Sequence, residues 1–142
     1  LAMIAHSGAH ACVIPKVESR LQIEEARRCL LQHGAPALME LWAMIETPLG
    51  VLQAHDIASA AGRGSPHPLS ALVVGSSDLT KELHAQHTPC RHPLLSSLQL
   101  VLLAARGRQL SAIDGVHFAL DDADEFAAHC RQGREMGFDG KS

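Results

Sequence analysis

Short apolar runs alternate with longer segments of helical periodicity along most of the chain. A run of about four to eight apolar residues bounded by turn residues is typical of a buried strand. Four such runs are ACVIP (residues 11–15), LWAMI (41–45), ALVVG (71–75) and SAIDGV (111–116). The final residues, FDGKS, indicate the start of a fifth strand. Strands that alternate with helices predict βα units and a parallel sheet.

The segments between these runs carry helix start and stop signals. Ser19 is a predicted N-cap for a helix that ends at Gly34. Thr47 and Pro48 predict the start of a second helix, which runs to about Ala61 before Gly62. The remaining predicted helices are a short one capped by Ser77 or Asp78, an apolar one from Pro93 to Arg106, and an amphipathic one from Asp121 to Met136. Residues 62–68 and 86–92 predict loops.

The spacing of the strands predicts a particular kind of parallel fold. Polar markers at the strand ends recur about every 27 to 36 residues, close to the roughly 31 per unit of an eight-unit barrel of about 250 residues. We therefore predict an α/β fold in which residues 1–142 form a single domain, the last five units of a (β/α)₈ barrel. Five strands alone would leave both sheet edges and the barrel interior bare. We expect the chain to be a fragment that lacks three N-terminal units.

Composition excludes several classes of partner. The formal charge of −3 gives no electrostatic reason to expect nucleic acid. No apolar run approaches the roughly 20 residues of a membrane span, and the first ten residues lack a signal-peptide pattern. These features predict a cytoplasmic protein without a membrane partner. The four cysteines are widely scattered and predict reduced thiols rather than a zinc site.

Ionisable residues follow each predicted strand. In a parallel barrel these positions converge on one mouth, where ligands bind. The residues concerned are Lys16, Glu18, Glu46, Asp78, Asp114 and Lys141.

Glu46 and Asp78 follow neighbouring strands and could share one hard cation, with water and substrate oxygens as further ligands. The residues alone leave other roles open. Glu46 could pair with Lys16, and Asp78 could be a helix N-cap. Lys16 could hold a ligand anion or pair with Glu18 or Glu46. Asp114 could be a turn residue.

Five strings then resemble a known family in their order and spacing: VIPKVES (13–19), MIETPLGVL (44–52), LVVGSSDL (72–79), AIDGVH (112–117) and GFDGKS (137–142). The resemblance is to the citrate lyase β-subunit-like family, which includes malyl-CoA lyases and belongs with the hydroxy-oxoacid aldolases in the phosphoenolpyruvate/pyruvate barrel superfamily. It spans essentially the whole chain. The IETPLGV and GxxDL strings together are specific, although the family often has Asn or Glu at the position of Ser77.

The resemblance implies a site and a reaction. Glu46 and Asp78 match the family's two Mg²⁺ ligands, with Mn²⁺ as a possible substitute, and Lys16 and Asp114 match motif positions near the mouth that we assign as catalytic. The implied enzyme is a lyase that cleaves a 3-hydroxyacyl-CoA of the malyl-CoA or citryl-CoA type into an oxo acid and acetyl-CoA. The implied partners are CoA thioester and oxo-acid substrates and further copies of the chain in a homo-oligomer.

Three alternatives remain open at this point. The enzyme could hydrolyse the thioester of malyl-CoA, or it could cleave a hydroxy-oxoacid without CoA, because related barrels hold the same metal for different chemistry. The protein could also be a non-catalytic scaffold. The family's substrate-binding arginine and an acidic pair come from earlier strands, and its C-terminal segment helps to close the site. Neither region lies in this sequence, and the general base and acid are not assigned.

Overall fold

The computed structural model describes residues 1–62, 64–119 and 121–142 and contains, in that part of the chain, one five-stranded parallel sheet. The strands lie side by side in the order of the sequence. They are β1 (Ala11–Ile14), β2 (Glu40–Ile45), β3 (Leu69–Val74), β4 (Ser111–Asp114) and β5 (Gly140–Lys141). The predicted α/β class and the parallel arc of barrel strands are confirmed.

Helices lie between successive strands, as the alternation predicts. They are α1 (Arg20–Gln32), α2 (Pro48–Leu52), α3 (Ala54–Ala58), α4 (Ser76–Glu82), α5 (Leu95–Gly107) and α6 (Ala123–Met136). Two 3₁₀ turns cover Ile4–His6 and His92–Leu94. Within the described residues, none of these helices combines the length and apolarity needed to cross a bilayer.

The core lies between the sheet and the helices. Leu41, Ala43 and Ile45 are fully buried in it and alternate with the half-buried Trp42 and Met44, which the strand periodicity assigns to the opposite face. Helix α5 packs against α3, β3 and β4, whereas its Leu100 and Leu103 are exposed. This packing fixes the carboxyl ends of β1 to β4 along one edge of the sheet.

The bounds of two helices differ from the prediction. The helix expected from Pro48 to about Ala61 is interrupted at Gln53, whose backbone (φ −94°, ψ 3°) leaves the helical region, so α2 and α3 are separate. Helix α4 begins at Ser76 with Gly75 as its N-cap, so the prediction that Ser77 or Asp78 caps it was wrong. Asp78 instead lies in the first turn, where its charge is favourable to the helix dipole.

The bounds of several other elements differ from the predicted ones by a few residues. Strand β3 begins at Leu69, two residues before the predicted start, and the helix predicted from Pro93 begins with the 3₁₀ turn before α5. Asp122 is the N-cap of α6, since its side chain accepts a hydrogen bond from the backbone N–H of Glu125. Arg63, in the predicted loop 62–68, lies outside the described residues.

Candidate functional site

The carboxyl ends of β1, β2 and β3 bring Lys16, Glu46 and Asp78 together. The backbone N–H of Lys16 donates a hydrogen bond of 2.8 Å to Oε1 of Glu46. The ammonium of the same residue lies 2.8 Å from Oδ2 of Asp78. One residue therefore contacts both carboxylates that the sequence predicts as metal ligands. In this geometry the backbone of Lys16 is left-handed (φ 49°), which is uncommon for a residue with a side chain.

Glu46 is a buried carboxylate, only 7% exposed. The glycine at position 75 makes room for it, because a Cβ on Gly75 would lie 2.3 Å from Cβ and 2.5 Å from Oε2 of Glu46. Thr47 starts α2 immediately afterwards, with its Oγ1 accepting the backbone N–H of Gly50. The end of β2 thus holds the Glu46 side chain in a cradle that a larger residue at position 75 would fill.

We expect Gly75→Ala to displace the Glu46 carboxylate. Relief of the overlap by shifts of the strand or side chain costs about 1–3 kcal/mol of unfolding free energy, and the displaced carboxylate should lose its metal affinity. Urea unfolding and Mg²⁺ titration of the full-length protein measure the two effects. Gly107→Ala is the matched control, because a Cβ there meets nothing within 4 Å. Unchanged Mg²⁺ affinity in Gly75→Ala would show that the cradle is unimportant.

Asp78 is partly exposed, and its contacts keep it ionised. The hydrogen bond from Lys16 lowers the pKa of the Asp78 carboxyl, and the same contact raises the pKa of Lys16. Glu82, one turn further along α4, lies 3.4 Å from the same ammonium. Lys16 thus pairs with Asp78 and Glu82, whereas Glu46 receives its backbone N–H. The alternatives in which Lys16 forms an ion pair with Glu18 or Glu46 are not what the structure contains.

Asp114, at the end of β4, belongs to a second group. It is 1% exposed, and both of its oxygens lie 2.7 Å from Nη1 of Arg91. Nζ of Lys141 lies 3.5 Å from its Oδ2 and donates to the carbonyl of Gly115. Burial lowers the pKa of Lys141, and the charge of Asp114 opposes that shift. Asp114 therefore compensates two cations held largely away from water.

The two groups are separate within the described residues, since no hydrogen bond or ion pair there joins Asp114 to Lys16, Glu46 or Asp78. The catalytic assignment of Asp114 stays a prediction, and its contacts favour a positioning role. Arg91 was not among the predicted site residues, because it lies in a polar loop without helical or strand periodicity. The available signal was indirect, because a carboxylate buried at a strand end requires a cationic partner.

A cavity of about 240 Å³ opens beside the candidate site. It lies between the loop before α5 and the loop after β4, and its largely apolar lining is typical of a ligand pocket. Ser76, in the helix that carries Asp78, forms part of its wall. The lining also includes Arg91, Leu94, His117, Phe118 and His129.

Within the described part of the chain, no group of three or more His, Cys, Asp or Glu residues is arranged to hold a metal ion. A site on Glu46 and Asp78 would therefore take its other ligands from outside this set of residues, for example from water and substrate. Mg²⁺ usually binds in this way, through one or two carboxylates.

The chain is similar in sequence and in structure to several known proteins. Residues 1–142 match the family described as HpcH/HpaI aldolase/citrate lyase. A (3S)-malyl-CoA thioesterase from Cereibacter sphaeroides is 43% identical over 143 residues, covering 100% of this chain and 46% of the relative. The citrate lyase subunit beta of Haemophilus influenzae is 28% identical, covering 98% of this chain and 48% of the relative.

Among solved structures, the protein CitE from Mycobacterium tuberculosis in complex with magnesium and pyruvate has a TM-score of 0.76 at 25% identity. The alignment covers 97% of this chain and 53% of that chain. The chain therefore spans about half the length of the relatives that it matches.

Proposed function

The chain belongs to the HpcH/HpaI aldolase/citrate lyase family, and we propose that the full-length protein is a Mg²⁺-dependent enzyme acting on a CoA thioester of the malyl-CoA type. The observation that carries the proposal is the contact of Lys16 with both Glu46 and Asp78 at neighbouring strand ends. That arrangement places two carboxylates at the edge of the sheet where parallel barrels bind ligands.

The side chains present fit a hard divalent cation. Glu46 and Asp78 supply oxygen ligands, which Mg²⁺ prefers, and few enough of them to leave positions for water and substrate. The absence of a side chain at Gly75 leaves room for Oε2 of Glu46, which a Cβ would approach to 2.5 Å. CitE, which is similar over 97% of this chain, was crystallised with magnesium and pyruvate, which supports the same assignment here.

Bound Mg²⁺ would supply Lewis-acid polarisation of a substrate oxygen. Lys16 fixes the Glu46 carboxylate through its backbone N–H and places a positive charge beside Asp78. If a cation neutralised Asp78, that ammonium would keep Glu82 as a partner and could also contact a substrate carboxylate. The adjoining cavity of about 240 Å³ offers a largely apolar surface for part of the CoA thioester outside the polar malyl group.

We propose thioester hydrolysis as the net reaction, supported by the 43% identity to a (3S)-malyl-CoA thioesterase. Carbon-carbon cleavage, the reaction that the sequence strings imply, is the second candidate. The similarity to the citrate lyase beta subunit, at 28% identity, favours it. Both reactions use a 3-hydroxyacyl-CoA and a metal that polarises an oxygen, so they share the site and differ in the bond that breaks.

Product analysis separates these reactions. The full-length protein is incubated with malyl-CoA and Mg²⁺, and the products are quantified by liquid chromatography. Free CoA with malate is the expected result, whereas acetyl-CoA with glyoxylate would identify the lyase. Citryl-CoA and free hydroxy-oxoacids define the substrate range, and a chelator provides the metal-free control. No turnover of any of these substrates with Mg²⁺ would contradict the proposal and favour a scaffold.

Lys16→Met should separate metal binding from turnover. Removal of an ammonium that repels the cation and competes for Asp78 should raise Mg²⁺ affinity by about threefold to tenfold. Turnover at saturating Mg²⁺ should fall, because the substrate carboxylate loses a counter-charge. Lys81→Met is the matched control, since Lys81 lies on the same helix and affects Asp78 only through its charge. Unchanged Mg²⁺ affinity in Lys16→Met would place the ion elsewhere.

A further inference from the structure

His117 and His129 form an unusual contact on the wall of the cavity. Nδ1 of His117 lies 3.2 Å from Nδ1 of His129, and the two rings are nearly perpendicular at 80°. His117 follows β4 in the loop at residues 115–119, and His129 lies in α6 and is 6% exposed. Neither residue takes part in the proposed reaction.

The backbone fixes the proton on the far side of each ring. Nε2 of His117 lies 2.8 Å from the carbonyl oxygen of Ala119, and Nε2 of His129 lies 2.9 Å from that of Pro89. A carbonyl oxygen only accepts, so each Nε2 must carry the hydrogen. Each neutral ring then has a lone pair on Nδ1, and the hydrogen-bond network points these two lone pairs at one another. Such a contact requires a cation between them.

A metal ion fits this geometry better than a shared proton. Two nitrogens that each lie about 2.05 Å from a tetrahedral ion are about 3.3 Å apart, and the observed distance is 3.2 Å. At this N···N distance, ring centroids would lie about 5.0 Å apart around such an ion and about 5.5 Å apart across a straight N–H···N bond. The observed separation is 5.0 Å.

We propose that His117 and His129 form a two-histidine site for a borderline transition-metal ion of the Zn²⁺ class. Imidazole nitrogen suits such ions, whereas the oxygen ligands at Glu46 and Asp78 suit Mg²⁺, so the two sites differ in chemistry. Histidine ligands commonly donate their second N–H to a backbone carbonyl, as both rings do here. Water in the adjoining cavity completes the coordination.

The surroundings of His129 favour its neutral form, in which Nδ1 is free to bind a metal ion. Burial is the main cause that lowers the pKa of His129, and the charges of Arg91 and Lys141 add to it. The Glu125 carboxylate, 3.6 Å from Nε2 of His129, offsets those cations. Because His129 also bonds to Pro89, an ion at this site would tie α6 to the loops on both sides of the cavity. It would thereby make the cavity wall more rigid.

Titration of the full-length protein with Zn²⁺, and with Co²⁺ as a visible probe, tests the proposal. Millimolar Mg²⁺ occupies the carboxylate site, and a Cys29→Ser background removes a competing thiol that lies 3.6 Å from His33. We expect one ion per chain with the absorption of tetrahedral Co²⁺. His117→Asn and His129→Gln should each weaken Zn²⁺ binding at least tenfold. His10→Asn, at an exposed histidine outside the pair, should leave it unchanged.

Nitrogen NMR of the two rings gives an independent readout. Metal ligation shifts the Nδ1 resonances of both histidines on addition of Zn²⁺, while each Nε2 remains protonated. Zn²⁺ binding that survives both substitutions, or a single proton shared between the Nδ1 atoms with no response to Zn²⁺, would overturn the proposal.

Discussion

Asp78→Ala should reduce Mg²⁺-dependent turnover of the full-length protein by about a thousandfold or more. A metal that polarises a substrate oxygen stabilises the transition state by several kcal/mol, and about 4 kcal/mol corresponds to a thousandfold in rate. The fold should survive, because the Asp78 side chain is 42% exposed and its known partner is Lys16. The measurement is the initial rate with malyl-CoA over a range of Mg²⁺ concentrations, together with Mg²⁺ affinity from calorimetry.

Glu82→Ala is the matched control for Asp78→Ala. Glu82 lies on the same helix and 3.4 Å from the same ammonium, so its removal causes a similar loss of charge next to Lys16. We expect its turnover to stay within about fivefold of the native protein, as for removal of an exposed ion pair. Glu46→Gln should behave like Asp78→Ala, because the amide retains the size of the side chain but loses its charge. Equal losses in Asp78→Ala and Glu82→Ala would mean that Asp78 acts only through Lys16.

Asp114→Ala should destabilise the protein by about 3–5 kcal/mol, because it leaves buried cations uncompensated. Arg91 is 6% exposed and would retain a guanidinium whose Nη1 had lost both carboxylate contacts. Lys141 would lose its charge partner in the same place. Urea unfolding of the full-length protein measures the change in unfolding free energy.

Two further variants identify the cause of that loss. Arg91→Met combined with Asp114→Ala should be less destabilised than the sum of the single variants, because the double change removes one of the two uncompensated cations and leaves only Lys141. Arg20→Ala removes an exposed pair with Glu24 on α1 and should cost less than about 1 kcal/mol. If Asp114→Ala changed stability no more than Arg20→Ala, the buried network would not be a stabilising element. The turnover of the Asp114→Ala variant would then show whether Asp114 is catalytic.

The sheet was predictable because its signal is local and repeated. Each strand is a short apolar run followed by a polar residue. Because the strands alternate with helices along the chain, few arrangements are possible other than parallel pairing of successive strands. The helix bounds were less predictable. Neither glycine nor proline occupies position 53, where α2 and α3 separate, and Gly75, the N-cap of α4, lies against the buried Glu46. Such approaches are tertiary contacts that a sequence pattern does not encode.

The site was partly predictable for the same reason. Strand-end position alone indicated that Glu46 and Asp78 face one edge, and the resemblance of five strings to the citrate lyase β-subunit-like family is confirmed by the match over residues 1–142. The contacts of Lys16 with both Glu46 and Asp78 were not predicted. The backbone of Lys16 is left-handed there, a conformation that lysine rarely adopts. Arg91 and His117 lie in loops, and His129 lies in α6. The sequence pattern of these segments does not indicate that their side chains meet beside the carboxyl ends of the strands.

The most direct test of the account is a crystal structure of the full-length protein grown with Mn²⁺ and an oxo acid, with anomalous diffraction to locate the ion. We predict one ion with an oxygen of Glu46 and an oxygen of Asp78 each about 2.0–2.3 Å away. The ammonium of Lys16 should have moved away from Asp78 toward the oxo-acid carboxylate. An ion bound without either carboxylate, or a Lys16–Asp78 pair unchanged in the presence of the ion, would contradict the assignment.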